Sequence, residues 1–76
     1  MKYLLITSKG CNRCEIAKKL LEENGMEFKE VDAFSPEGID AILTYNTNTN
    51  PAIIDTINKR VYSISEFREF IRLKNI

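Results

Sequence analysis

Cys11 and Cys14 are the only cysteines in the chain, separated by two residues, and there is no histidine. A C-x-x-C pair between a strand and a helix carries thiol–disulfide chemistry. A helix start has unsatisfied N–H groups and the positive end of a dipole, and both favour an anion. A cysteine placed there is held as thiolate, with a pKa of roughly 3.5–7.5 against about 8.5 when free. Cys14 lies about one helical turn further on, so its sulfur can approach that of Cys11. Such a pair reduces a disulfide in two steps. One thiolate attacks and forms a mixed disulfide, and the other displaces the reduced product. Cys11, nearer the helix start and expected to be the more exposed, is the candidate nucleophile, and Cys14 the candidate resolving thiol. Lys9 and Arg13 are candidate sources of positive charge beside Cys11, and Arg13 also a candidate substrate contact. Both equally read as solvated side chains of an exposed turn.

The alternative chemistry is metal binding. Zinc asks for four ligands, and this chain offers two cysteines. A metal or iron–sulfur carrier would have to be bridged between two chains through the same cysteines, or draw on carboxylates. No metal site within a single chain is expected.

The elements around the pair follow from pattern. Residues 2–7 are short and apolar and end at Ser8-Lys9-Gly10, which predicts a buried strand and a sharp turn before Cys11. Residues 12–24 read as a helix with Ile16, Ala17, Leu20 and Leu21 on one face, stopped by Asn24-Gly25. Residues 27–32 read as a second strand with imperfect alternation. Ser35-Pro36-Glu37 is a helix start, with a capping hydroxyl, a proline that needs no N–H, and an acid at the positive end. Ile39, Ile42 and Leu43 are expected on its inward face, with Gly38 weakening it. A polar loop over 44–50 leads to Pro51 at the head of a third strand over 51–57, a tight turn at Asn58-Lys59 and a return strand over 60–62. The last helix starts near Ser63, with Ser63 and Glu66 at capping-box spacing and Ser65 as the other candidate cap. Phe67, Phe70 and Ile71 supply its buried face.

The bulk numbers narrow the class. With 76 residues the chain is one domain, 1–76, and 43% hydrophobic residues suffice for a modest core. Eleven basic residues balance eleven acidic ones, so no nucleic-acid footprint is expected. No apolar run approaches the roughly 20 residues of a membrane span, and the N-terminal apolar stretch is short for a signal peptide. A lone C-x-x-C suits a reducing compartment, so a monomer in the cytoplasm is expected.

This order, β-α-β-α-β-β-α, with C-x-x-C after the first strand and Thr49-Asn50-Pro51 opening the third, resembles the glutaredoxins over essentially the whole chain. They are the smallest members of the thioredoxin superfamily. The resemblance implies an α/β, thioredoxin-like fold, with a mixed four-stranded sheet and helices on both faces. It implies a dithiol–disulfide oxidoreductase acting on protein or glutathione mixed disulfides, with no tightly bound cofactor. Cys11 matches the family's nucleophile and Cys14 its resolving cysteine. Pro51 matches a proline that is cis and packs beside the sulfurs. Asn50 matches the residue whose backbone pairs with an extended substrate. Ser65 matches a position that helps hold the γ-glutamyl end of glutathione. The chain also departs from the pattern. Asn12-Arg13 stands where Pro-Tyr is usual, and Lys9 is one residue nearer Cys11 than the family's basic residue. Tyr62-Ser63 replaces a Gly-Gly pair that helps receive glutathione, and these side chains are expected to obstruct that approach. The electron donor is therefore left open between glutathione, as a co-substrate, and a thioredoxin reductase.

Overall fold

The element order read from the sequence is the order found. The computed structural model describes residues 2–47 and 51–74. It contains β1 (Tyr3–Thr7), α1 (Asn12–Glu23), β2 (Phe28–Asp32), α2 (Pro36–Tyr45), β3 (Ala52–Asp55), β4 (Arg60–Tyr62) and α3 (Ile64–Lys74). The strands form one mixed sheet in the order β2-β1-β3-β4. β1 and β2 are parallel, as a connection through a helix demands, while β3 is antiparallel to both β1 and β4.

Alternation along the central strands divides the core in two. Tyr3, Leu5 and Ile53 face α1 and α3, where they meet Ala17, Leu21, Ile64, Phe67 and Ile71. Ile6, Val31, Ala52 and Ile54 face the other way and meet Ala33 and Ala41. Leu5, Ile6, Leu21, Ile53, Ile54 and Phe67 are fully buried. Each contributes about 1.5–3 kcal/mol by burial alone. Tyr62, Phe67 and Phe70 add a ring cluster, with centroids 5.3–5.8 Å apart.

Three expectations are corrected in detail. Ile39 and Leu43 do not face inward: they are 48% and 76% exposed. The buried face of α2 is Gly38 and Ala41, with Ile42 and Tyr45 partly covered. The reason is Gly38. A Cβ there would lie 1.9 Å from the Asp32 carbonyl oxygen, so the glycine lets α2 press its backbone onto the end of β2. Ile16, 44% exposed, likewise turns out of the α1 face, which is centred on Cys14, Ala17 and Leu21. The third strand stops at Asp55, and residues 56–59 form the turn. The buried Asp55 carboxylate accepts from the Ile57 and Asn58 N–H groups and from the Asn58 side chain, which holds the turn open at that length.

The register fixes which ends meet. Thr7 pairs with Asp32 and Ile6 with Ala52, while Ile53 pairs with Tyr62. The end of β1, the start of β3 and the end of β4 thus share one edge of the molecule. Cys11, Pro51 and the start of α3 all lie there.

Candidate active site

The site begins with the turn after β1. Gly10 sits at φ +73°, a left-handed conformation that costs a glycine little. The chain is thereby swung into α1 with Cys11 as its N-cap, in extended conformation at φ −90° and ψ 102°. Cys11 takes the place a serine or aspartate usually fills: its Sγ accepts from the Cys14 backbone N–H at 3.1 Å. The same N–H also approaches the Cys11 carbonyl at 3.3 Å. Cys11 and Cys14 are joined by a disulfide, with Cα atoms 5.3 Å apart. The two sulfurs are not equivalent. Cys14 is 5% exposed and belongs to the buried face of α1, whereas Cys11 is half-buried.

The other sequence-predicted residues fall into three groups. Pro51 is buried at the head of β3, next to Ala52, which pairs with Ile6 on β1. Lys9 and Arg13 are exposed on either side of Cys11 in sequence. Ser65 is exposed in the first turn of α3, with its Oγ 3.3 Å from that of Ser63. Asn50 and the bond joining it to Pro51 lie outside the described residues.

Tyr62 and Ser63, both partly exposed, are engaged with α3. The Tyr62 ring lies against Phe67 and Phe70 of α3. Ser63 is the helix cap: its Oγ accepts from the Glu66 N–H at 3.2 Å, and Glu66 Oε1 accepts from the Ser63 N–H at 2.9 Å. This reciprocal pair is a capping box, and Ser63 rather than Ser65 makes it. The hydrogen bonds from Ser63 hold the Glu66 carboxyl below its ordinary range.

One cluster near the site carried no sequence signal. Glu30 on β2 accepts from the Thr7 hydroxyl at 3.1 Å and pairs with Lys18 at 3.1 Å. Lys18 lies one helical turn beyond Cys14, so this bridge ties the middle of α1 to β2. The hydrogen bond to Glu30 raises the Lys18 pKa above its ordinary value. Only the odd-even alternation of β2 could have placed Glu30 on that face. Among the described residues, no three cysteine, aspartate or glutamate side chains gather in a way that could hold a metal ion. No helix among them is long and apolar enough to cross a membrane.

Comparison with known proteins fits this geometry. Among solved structures, the chain is similar to the crystal structure of the thioredoxin-like protein BC3987. The TM-score is 0.77 at 22% identity, over 95% of this chain and 99% of that one. A mutant of that protein gives a TM-score of 0.76 at 20% identity, covering 95% and 97%. The likeness in architecture marks the fold as thioredoxin-like. No curated protein sequence matches the chain. The glutaredoxin family profile matches residues 3–61, from β1 into β4, and this stretch includes Cys11, Cys14 and Pro51. With well over half its length matched, the chain belongs to the glutaredoxin family.

Proposed function

We propose that this protein is a dithiol–disulfide oxidoreductase that reduces protein or glutathione mixed disulfides. Family membership supports a thiol–disulfide redox role. The observation that carries the finer reading is the Cys11 sulfur at the α1 N-cap, accepting from the Cys14 N–H, with Cys14 buried one turn behind it.

The sequence of events starts from the reduced pair. The Cys11 thiolate attacks one sulfur of the substrate disulfide. That S–S bond breaks, the first substrate sulfur leaves as a thiolate, and a mixed disulfide to Cys11 forms. Cys14, as thiolate, then attacks the Cys11 sulfur. The mixed disulfide breaks, the second substrate thiol leaves, and the Cys11–Cys14 disulfide closes. The substrate gains two electrons and the protein loses two. A thiol or dithiol donor, glutathione or a thioredoxin reductase, returns them. Helix N–H groups stabilise Cys11 as attacking and as leaving thiolate, so one arrangement serves both directions.

The remaining residues take supporting roles in this reading. Lys9 and Arg13 place positive charge at the mouth. Pro51 and Asn50 present the backbone against which an extended substrate lies, and Ser65 offers a hydroxyl on the α3 side. The protein works as a monomer in the cytoplasm, where reduced thiols are maintained.

The test is disulfide reduction by the wild-type protein and by Cys11→Ser, with a reducing donor system present. The expected result is loss of turnover in the variant. Full activity in Cys11→Ser would contradict the assignment.

A further inference from the structure

Phe34 is the most exposed large apolar side chain among the described residues, at 79%. Its backbone, by contrast, is firmly held. The Phe34 N–H donates to Asp32 Oδ1 at 2.9 Å. The Ser35 N–H and hydroxyl both donate to the Asp32 carbonyl, at 3.0 and 2.7 Å, and Ser35 caps α2. Phe34 and Ile39 stand one residue before that cap and four after it, where two apolar side chains commonly staple a helix start. A ring this exposed covers little of Ile39, which is itself 48% exposed, so no staple closes here. Hydrogen bonds hold the turn, and the ring has no task inside the fold.

The turn lies at the end of the sheet that carries Cys11. Thr7 pairs with Asp32, and the Ala33 N–H donates to the Thr7 carbonyl at 2.7 Å. Ala33-Phe34 therefore runs beside the start of the Ser8-Lys9-Gly10 turn that leads into α1. A protein partner of ordinary size covers about 800 Å², a patch about 30 Å across. The whole molecule measures 38 × 26 × 19 Å. A protein that brings its disulfide to Cys11 thus covers the Phe34 turn as well, and a small disulfide does not. Lys9 and Arg13, next to Cys11 in sequence, are exposed and form no ion pair among the described residues. The complement of this end is a surface with an apolar side chain and a carboxylate beside its disulfide.

Building on the oxidoreductase reading, we propose that Phe34 is a specificity-determining residue that selects protein disulfides over small ones. An apolar side chain near the substrate disulfide lies on the Phe34 ring, and a carboxylate of the same segment faces Lys9 or Arg13. Taking the ring out of water tightens binding of such disulfides. It leaves the exchange at Cys11 unchanged, because the ring takes no part in it.

The experiment measures the rate at which the reduced full-length protein is oxidised by two peptides and one small disulfide, all below saturation. Each peptide carries one cysteine, as a mixed disulfide with 2-mercaptoethanol, and one glutamate. One peptide has leucine two residues to either side of the cysteine, and the other has serine there. In each reaction Cys11 and Cys14 lose two electrons and close their disulfide, while the peptide thiol and 2-mercaptoethanol are released. The small disulfide is bis(2-hydroxyethyl) disulfide. Wild type is compared with Phe34→Ala and with Ile57→Ala, which removes a 69% exposed apolar side chain beyond β3, at the opposite end of the sheet. Wild type should react about fivefold faster with the leucine peptide than with the serine peptide, the effect of removing about 40 Å² of apolar surface from water. The ratio should fall to near one in Phe34→Ala and stay as in wild type in Ile57→Ala. The rate with the small disulfide should be the same in all three proteins. A wild-type ratio near one, a ratio that survives Phe34→Ala, or one that falls equally in Ile57→Ala would overturn the role of Phe34. So would a slower reaction of Phe34→Ala with the small disulfide, which would mean that the ring acts on Cys11 itself. All of these leave the oxidoreductase reading standing. A wild-type protein that reduces none of the three substrates would overturn that reading, and this inference with it.

Discussion

The Sγ of Cys11 accepts a hydrogen bond from the backbone N–H of Cys14 at 3.1 Å. The proposed nucleophile and the helix cap are therefore the same atom. A sulfur in this position is most strongly bound when it carries negative charge, because a charge-assisted hydrogen bond and the helix dipole act together. The second sulfur sits behind it, on the buried face of α1. Exposure and charge stabilisation thus both support the proposed roles, Cys11 as the sulfur that meets a substrate and Cys14 as the one that meets Cys11.

This division of labour predicts a trapped intermediate. In Cys14→Ser the first exchange proceeds and the second cannot. Incubated with a disulfide-containing protein, the variant should accumulate a covalent adduct at Cys11 that a small thiol reverses, visible by non-reducing electrophoresis and mass spectrometry. Cys11→Ser should give no adduct under the same conditions. Equal trapping by both variants would remove the distinction between the sulfurs.

Gly38 should be the least replaceable glycine for stability. Its Cβ would meet the backbone of Asp32 and Ala33, which cannot swing aside as a side chain can. Gly38→Ala should therefore destabilise the fold by about 1–3 kcal/mol or more, the range for overpacking, although alanine is the better helix former. Urea unfolding measures it. A stabilised variant would show that α2 does not approach β2 this closely.

Asp55 should matter for stability and not for thiol chemistry. Burial acts most strongly on its carboxyl and pushes its pKa up. The hydrogen bonds from the Asn58 side chain and from the Asn58 and Ile57 N–H groups outweigh burial, helped by Lys2, and hold the carboxyl below its ordinary value. A carboxyl depressed in the folded state contributes stability that is fully present above its unfolded pKa, about 3.9. That contribution is lost as pH falls through the lower folded value. Asp55→Asn should thus cost stability at neutral pH, about 1.5–3 kcal/mol for hydrogen bonds to a charged group. The gap to wild type should narrow on acidification below about pH 4. Its disulfide reduction rate should stay unchanged, because Asp55 pairs with Tyr3 at the end of the sheet away from Cys11. A gap that persists undiminished at low pH would mean the charge is not what holds the turn.

Much of this was legible in the chain because the decisive patterns are local. Ser8-Lys9-Gly10 ending an apolar run, Ser35-Pro36 and the Ser63/Glu66 spacing each mark a boundary through the chemistry of a few neighbours. The C-x-x-C marks a chemistry in the same way. What escaped the pattern depends on contacts between distant segments. Gly38 reads as a weak helix residue until Asp32 lies against it, and Ile39 and Leu43 read as core until that contact fixes the rotation of α2. The hairpin turn read as Asn58-Lys59 is longer because the buried Asp55 organises residues 56–59. The capping box was visible as spacing. Its position at the edge shared with Cys11 follows only from the register of β1, β3 and β4.

The most direct test of the account is alkylation of the fully reduced protein by limiting iodoacetamide across pH, with the modified residue located by mass spectrometry. Cys11 should be labelled first. Its rate should follow a pKa clearly below the ~8.5 of a free thiol, with Cys14 labelled slowly. Labelling of Cys14 first, or a Cys11 rate that rises only around that ordinary value, would contradict it.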